Sequence, residues 1–215
     1  RMVRTRIISS LANCEENKVL MFEHDGLLDS IMRMAHLDLC EQSRHYAGST
    51  LMDLSSAAPN QASMANDDRL LGTLVKMILV EKSALTREIV ITSVQNLAFG
   101  KNNRNRLVSF KDGIVLEALK KALSSDPDPK ARRRAAGALT NLACDETGEK
   151  MGEHKGLLDT LAIVSTRDES LDVQTRASLA LTKVASCITV KMECHDTLLD
   201  TLVVASLSKA PNSTS

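Results

Sequence analysis

Apolar residues recur along this chain at the spacing of a helix face. Ala135, Leu139 and Leu142 lie four and three apart on one stripe, flanked by the small residues Ala138 and Ala143. The same stripe returns at Ile8–Leu11–Ala12, Leu51–Leu54–Ser55, Val94–Leu97–Ala98 and Leu181–Val184–Ala185. Its marker residues, Leu11, Leu54, Leu97, Leu142 and Val184, step by 43, 43, 45 and 42 residues. A second column, GLLDSI from Gly26, RLLGTL from Arg69, GIVLEA from Gly113, GLLDTL from Gly156 and TLLDTL from Thr197, steps by 43, 44, 43 and 41. Five residues before each of those starts stands a third column, Met21, Met64, Val108, Met151 and Met192. Three columns sharing one period in the low forties predict stacked helical repeats, each too small to bury its apolar face alone.

Each unit reads as three helices. In the first full unit these cover Glu15–Asp25, Gly26–Leu37 and Glu41–Ser56; in the second Asn60–Asp68, Arg69–Val80 and Leu85–Phe99. The third unit has Lys101–Asp112, Gly113–Ser124 and Lys130–Cys144, where Asp128 is placed to cap and Pro129 to open the last helix. The fourth has Glu146–His154, Gly156–Ser165 and Leu171–Ser186. Residues 1–13 read as the last helix of a partial unit. The full units fall near 14–58, 59–100, 101–144 and 145–186, and a partial unit over 187–209 precedes a polar tail, 210–215. The whole is expected to be one all-α array, either part of a longer one or one lacking its N-terminal cap.

Composition narrows the functions. Lys+Arg and Asp+Glu both number 27, so no global field draws nucleic acid or an anionic membrane, and any charge-driven binding comes from local patches. Aromatic content is 2% with no Trp, which leaves aliphatic side chains and Met to fill the core. Cys14, Cys40, Cys144, Cys187 and Cys194 are odd in number and form no CxxC, the pattern of reduced intracellular thiols, with Cys14 and Cys144 expected buried at equivalent helix ends. The expected compartment is accordingly intracellular, cytoplasmic or nuclear. No apolar run approaches a membrane span, and no phosphate loop, nucleophile elbow or paired metal-ligand spacing occurs. The sequence thus offers no catalytic residue, metal ligand, cofactor site or small-molecule substrate. Lys101, Arg104, Arg106 and Lys111 make a basic first helix, but without interleaved aromatics nucleic-acid binding is disfavoured.

Three helices per unit, a G-[LI]-[LV] opening to the second and A-x-x-L-x-N-L-A in the third resemble the armadillo repeat. The resemblance is sharpest in TSVQNLAFG (92–100) and AAGALTNLAC (135–144) and covers nearly the whole chain. Two-helix HEAT repeats are the close alternative, since VQTRASLAL (173–181) suits both. The resemblance implies a right-handed superhelical solenoid, with about four complete repeats and partial ones at both ends. It also implies an extended peptide held in a concave third-helix groove by a ladder of Asn residues beside Trp. Here the ladder reads Ser10, Asp53, Asn96, Asn141, Lys183, and the Trp positions read Arg6, Ser49, Thr92, Gly137, Leu179. Without Trp, stacking of Lys stems as in importin-α-like receptors has no platform.

An Asn amide carries both a donor and an acceptor and so suits a peptide backbone of any sequence. Seven residues before each ladder position, on the same face, stand Val3, Tyr46, Ile89, Arg134 and Arg176. The C-terminal half therefore gathers Arg134, Asn141, Arg176 and Lys183, which suits Asp, Glu or phosphate on a partner. The leading expectation is a non-catalytic scaffold that binds an extended acidic or phosphorylated protein segment. Asn96, Asn141, Asp53, Lys183, Arg134, Arg176 and Tyr46 are its candidate contacts. The second reading is a spacer or oligomerisation arm that self-associates through uncapped end repeats.

Overall fold

The computed structural model describes residues 2–187 and Val203; apart from Val203, the expected helices over 190–195 and 197–209, with Met192, Cys194 and the tail, lie outside the described residues. Thirteen α-helices and one 3₁₀ turn follow one another there with no strand. They run α1 (Met2–Ala12), α2 (Glu15–Glu23), α3 (Leu27–Leu37), α4 (Glu41–Ser56), α5 (Ala58–Asn66), α6 (Asp68–Val80) and α7 (Ala84–Leu97). After the 3₁₀ turn Lys101–Asn103 come α8 (Arg104–Ser109), α9 (Ile114–Ser125), α10 (Pro129–Leu142), α11 (Gly148–Glu153), α12 (Leu157–Arg167) and α13 (Leu171–Cys187).

The helix starts follow from local chemistry. Gly26, Gly113 and Gly156 precede α3, α9 and α12 with φ of 72°, 85° and 71°, a backbone turn that L side chains resist. The second unit lacks that glycine. There Asp67 caps α6, its Oδ1 accepting from the backbone N–H of Arg69 at 2.8 Å and of Leu70 at 3.1 Å. Asp128 accepts from Lys130 N–H at 2.9 Å and Pro129 opens α10, as its sequence anticipates. The single helix expected over Lys101–Asp112 is instead a 3₁₀ turn and the short α8. Lys111, Asp112 and Gly113 have φ of 43°, 57° and 85°, and three left-handed residues in a row stop the helix before them.

Helices stack by type. The third helices α1, α4, α7, α10 and α13 pack each on the next, as do the second helices α3, α6, α9 and α12, and the first helices α2, α5, α8 and α11. One continuous apolar core runs between these rows. Leu54, Leu97, Leu142 and Val184 are fully buried, as are Met64 and Met151 of the methionine column. Each such side chain contributes about 1.5–3 kcal/mol by leaving water. Leu11, the first marker residue, is 50% exposed, because no described helix packs on the far side of α1. Cys14 also departs from expectation. It is exposed, ahead of α2, while Cys144 at the equivalent place is half-buried.

A second system links the units along the rim where second helices turn into third helices. Arg44 forks onto Glu81 (Nε–Oε2 2.6 Å, Nη2–Oε1 3.1 Å), Arg87 onto Asp126 (2.6 and 2.9 Å), and Arg132 onto Asp168 (2.7 and 2.9 Å). The carboxylates are 3%, 3% and 6% exposed and the arginines 12–18%. Each arginine also donates Nη1 to two carbonyls of its own unit's loop: Arg44 to Asp38 and Leu39, Arg87 to Glu81 and Lys82, Arg132 to Asp126 and Pro127. Every guanidinium thus ties its own loop to that of the next unit. The series stops at Gln174, which keeps only the local bond, Nε2 to Asp168 O at 2.6 Å.

Candidate functional site: the third-helix face

Besides the rim, the third helices present one outer face. On α7 that face reads Leu85, Ile89, Thr92, Asn96 and, just beyond the helix end, Phe99, a stripe at intervals of three and four. Leu85 is 55% and Phe99 66% exposed, and the three between them are half-buried. The equivalent stripe on α4 is Gln42, Tyr46, Ser49, Asp53 and Ser56. On α10 it is Lys130, Arg134, Gly137, Asn141 and Cys144, and on α13 Asp172, Arg176, Leu179, Lys183 and Ser186. Every predicted contact residue lies on these four stripes.

The ladder amides are already bonded within the chain. Asn96 Nδ2 donates to Met52 O at 3.2 Å and to Ser55 Oγ at 3.1 Å, both on the preceding third helix. An amide nitrogen has two hydrogens, so Asn96 retains only its carbonyl oxygen for a partner. Asn141 Nδ2 donates once, to Gln95 O at 3.4 Å, which leaves one N–H and the oxygen. Lys183 Nζ donates to Thr140 O at 3.3 Å, again on the preceding third helix, while its side chain stays exposed. The ladder is therefore first an inter-repeat tie. The expected donor-and-acceptor pair survives at Asn141 and is reduced to an acceptor at Asn96.

Asp53 is half-buried beside α2. Burial holds its carboxyl above the ordinary carboxylate range, with Lys18 opposing that shift and Glu15 reinforcing it. At the Trp column, Gly137 is covered by Gln95. A Cβ at 137 would stand 2.7 Å from Gln95 Nε2, so the notch between α7 and α10 is filled from within.

The basic residues differ in their freedom. Arg134 Nε reaches Glu88 Oε1 at 3.4 Å, a single contact with the arginine side chain 37% exposed. Arg176 is exposed and makes no ion pair or side-chain hydrogen bond among the described residues, and Arg133 likewise has none. Apart from the rim arginines Arg44 and Arg87, α4 and α7 carry no Lys or Arg, and they hold Glu41, Asp53 and Glu88. Apart from Arg132, α10 and α13 carry Lys130, Arg133, Arg134, Arg176 and Lys183 against Asp172 alone. The face changes sign midway.

Sequence reasoning missed the rim arginines as a system. The signal was present: Asp38, Glu81, Asp126 and Asp168 step by 43, 45 and 42 residues, and Arg44, Arg87, Arg132 and Gln174 step identically six residues later. The basic first helix is likewise engaged internally. Arg104 Nε donates to Ala98 O at 3.1 Å, Arg106 pairs with Asp68, and Arg106 and Lys111 lie 5.2 and 5.3 Å from the Phe110 ring centre. No cluster of three or more His, Cys, Asp or Glu suited to a metal, and no helix long and apolar enough to cross a membrane, occurs among the described residues.

Solved structures with this arrangement include engineered proteins and designed armadillo repeat proteins. An engineered protein superposes with a TM-score of 0.76 at 21% identity, covering 96% of this chain and 82% of that one. A designed armadillo repeat protein gives 0.74 at 20% identity, covering 99% and 87%. The chain has an armadillo-type repeat fold. A further designed armadillo repeat protein, solved in complex with the basic peptide (KR)4, gives 0.73 at 19% identity and covers 100% of this chain and 85% of that one. At such identities the likeness establishes the armadillo fold alone. No family model and no curated protein matches the chain.

Proposed function

We propose that this protein is a non-catalytic binding scaffold whose third-helix face receives an extended acidic or phosphorylated segment of a partner protein. The observation that carries this reading is Arg176. It is exposed and has no side-chain partner among the described residues, in register with the half-engaged Arg134 on one neighbouring helix, while the rim arginines are each locked in a fork. Guanidinium groups suit carboxylate and phosphate oxygens through two parallel hydrogen bonds, and Lys183 adds a point charge beside them. Asn141 would hold a backbone amide by both its groups, Asn96 would accept a backbone N–H, and Tyr46 would flank the segment. One designed armadillo protein of the same fold was solved with an alternating Lys–Arg peptide. The cations of α10 and α13 would repel such a peptide here, which supports recognition of the opposite sign.

A peptide array tests the reading. Acidic and phosphorylated segments should bind in preference to basic ones, should weaken as salt rises, and should lose binding in Arg134→Ala with Arg176→Ala. Preference for basic segments, or binding indifferent to both substitutions, would refute it. A spacer role with self-association has one observation in its favour. Met2, Val3, Ile7 and Leu11 of α1 are 45–63% exposed, an apolar end face of the kind that stacks on another repeat. A solution mass that rises with concentration, together with silence on every peptide, would favour that role.

A further inference from the structure

The third-helix face is divided chemically as well as by charge. The column that ends in Arg134 and Arg176 begins with Val3, Tyr46 and Ile89, so apolar groups give way to guanidiniums between α7 and α10. Leu85 lies one turn before Ile89 on the same stripe and is 55% exposed. Tyr46, the only tyrosine in the chain, is half-buried with its ring edge against His45, centroids 5.8 Å apart. Neither α4 nor α7 brings a free cation to this half. A purely acidic ligand gains nothing from these two helices, which present Glu88 and Asp53.

We infer that the occupant is bipartite: an extended segment with an aliphatic or aromatic anchor on Tyr46, Ile89 and Leu85, and Asp, Glu or phosphorylated residues on Arg134 and Arg176. This rests on the acidic-peptide reading above and adds to it a second element and a distance. Adjacent packed helices lie about 8–10 Å apart. The anchor site between α4 and α7 and the basic site between α10 and α13 are two helix steps apart, about 16–20 Å. An extended chain rises about 3.3 Å per residue, so the anchor and the acidic group are separated by about five or six residues. The anchor supplies apolar burial that salt does not screen, and the acidic group supplies the salt-sensitive part.

The test is fluorescence anisotropy with four labelled peptides and the whole chain. One carries four acidic residues alone. The second adds a Leu-Phe anchor five residues away, the third places that anchor two residues away, and the fourth is the second in reversed order. The better-binding direction at five-residue spacing should exceed the acidic-only peptide by about tenfold, and the two-residue spacing should not. Ile89→Ser with Leu85→Ser should remove the gain and leave the acidic-only affinity unchanged, while circular dichroism confirms that the variant is folded. Equal affinity for acidic-only and both anchored five-residue peptides would overturn the bipartite proposal while leaving acidic recognition standing. A gain that survives the Ile89→Ser, Leu85→Ser variant would also overturn it. Failure of every acidic peptide, with a basic control bound, would overturn the underlying reading instead.

Discussion

Arg132 and Arg134 stand two residues apart on α10 and meet different fates. Arg132 faces the rim, forks onto a carboxylate that is 6% exposed, and closes two carbonyls of its own loop. Arg134 faces outward, touches Glu88 once at 3.4 Å, and keeps most of its hydrogen-bonding capacity. Arg176 carries the second situation further, with no partner among the described residues. The rim repeats one charged fork from unit to unit; on the outer face the ladder bond to the preceding third helix repeats, from Asn96 to Met52 O, Asn141 to Gln95 O and Lys183 to Thr140 O, but the arginine contacts do not. In a repeat protein, interfaces between neighbours set stability, so the repeated charges belong to the fold and the unrepeated ones are available for a ligand.

The largest effect that would separate the two regions is on stability. Arg87→Ala breaks the central fork and strands Asp126, which is 3% exposed, and is expected to lower unfolding free energy by about 2–3 kcal/mol. That value lies between an exposed pair and a fully buried one. Urea unfolding measures it, and peptide affinity at a temperature where the variant remains folded should not change. A loss below about 0.5 kcal/mol would mean the rim fork is incidental.

Acid should act on the same rim. Burial works against the Glu81 and Asp168 anions. Arg44 with the amides of Ser83 and Lys82 outweighs it at Glu81, Arg132 with Ser170 N–H outweighs it at Asp168, and both carboxyls lie below their ordinary values. Groups lowered in this way stabilise the fold above about pH 5 and lose that contribution as pH falls through their folded pKa. Asp53, raised chiefly by burial, runs the other way and favours the fold slightly more once protonated. Glu81→Gln is expected to make the acid limb of a stability–pH curve shallower. An unchanged limb would assign the acid sensitivity elsewhere.

Arg176→Ala tests the other region. Stability should stay within about 0.5 kcal/mol of the parent, since nothing among the described residues pairs with it. Affinity for an acidic peptide should fall about five- to tenfold at low salt, as expected for loss of a charge-assisted contact. The smallest effect belongs to Asn96→Ala. It removes two hydrogen bonds to α4 and should destabilise by about 1 kcal/mol, with a lesser loss of peptide affinity than Arg176→Ala, because only its carbonyl oxygen is free. Affinity lost without any loss of stability would return Asn96 to a pure ligand contact.

Much of the fold could be read from periodicity, because burial repeats with the helix. The expected ends of α3, α4, α6, α10 and α13 fall within two residues of those observed. What escaped the pattern depends on neighbours. Leu11 carries the apolar signature of Leu54 and Leu97 yet is half exposed, since a stripe announces a face and not what covers it. The stop of α8 at Ser109, short of the expected Asp112, goes with two left-handed non-glycine residues, Lys111 and Asp112, which propensity does not foresee. The candidate contacts were legible as a face, but their free valences were not. Whether Asn96 spends its N–H groups on Met52 and Ser55 depends on the offset between α4 and α7, and Gln95 lying over Gly137 depends on the same offset. The rim columns were legible and unread, because a charge repeating at the unit period looks like any solvated surface until its partner is placed beside it.

The most direct measurement of the central claim is the salt dependence of binding for one acidic peptide, in the parent chain and in Arg134→Ala with Arg176→Ala, beside an alternating Lys–Arg peptide as control. We predict that the acidic peptide binds the parent more tightly than the control, weakens as salt rises from 50 to about 200 mM, and loses most of that salt dependence in the variant. Tighter binding of the Lys–Arg peptide, or an acidic peptide whose affinity and salt dependence are the same in both proteins, would contradict it.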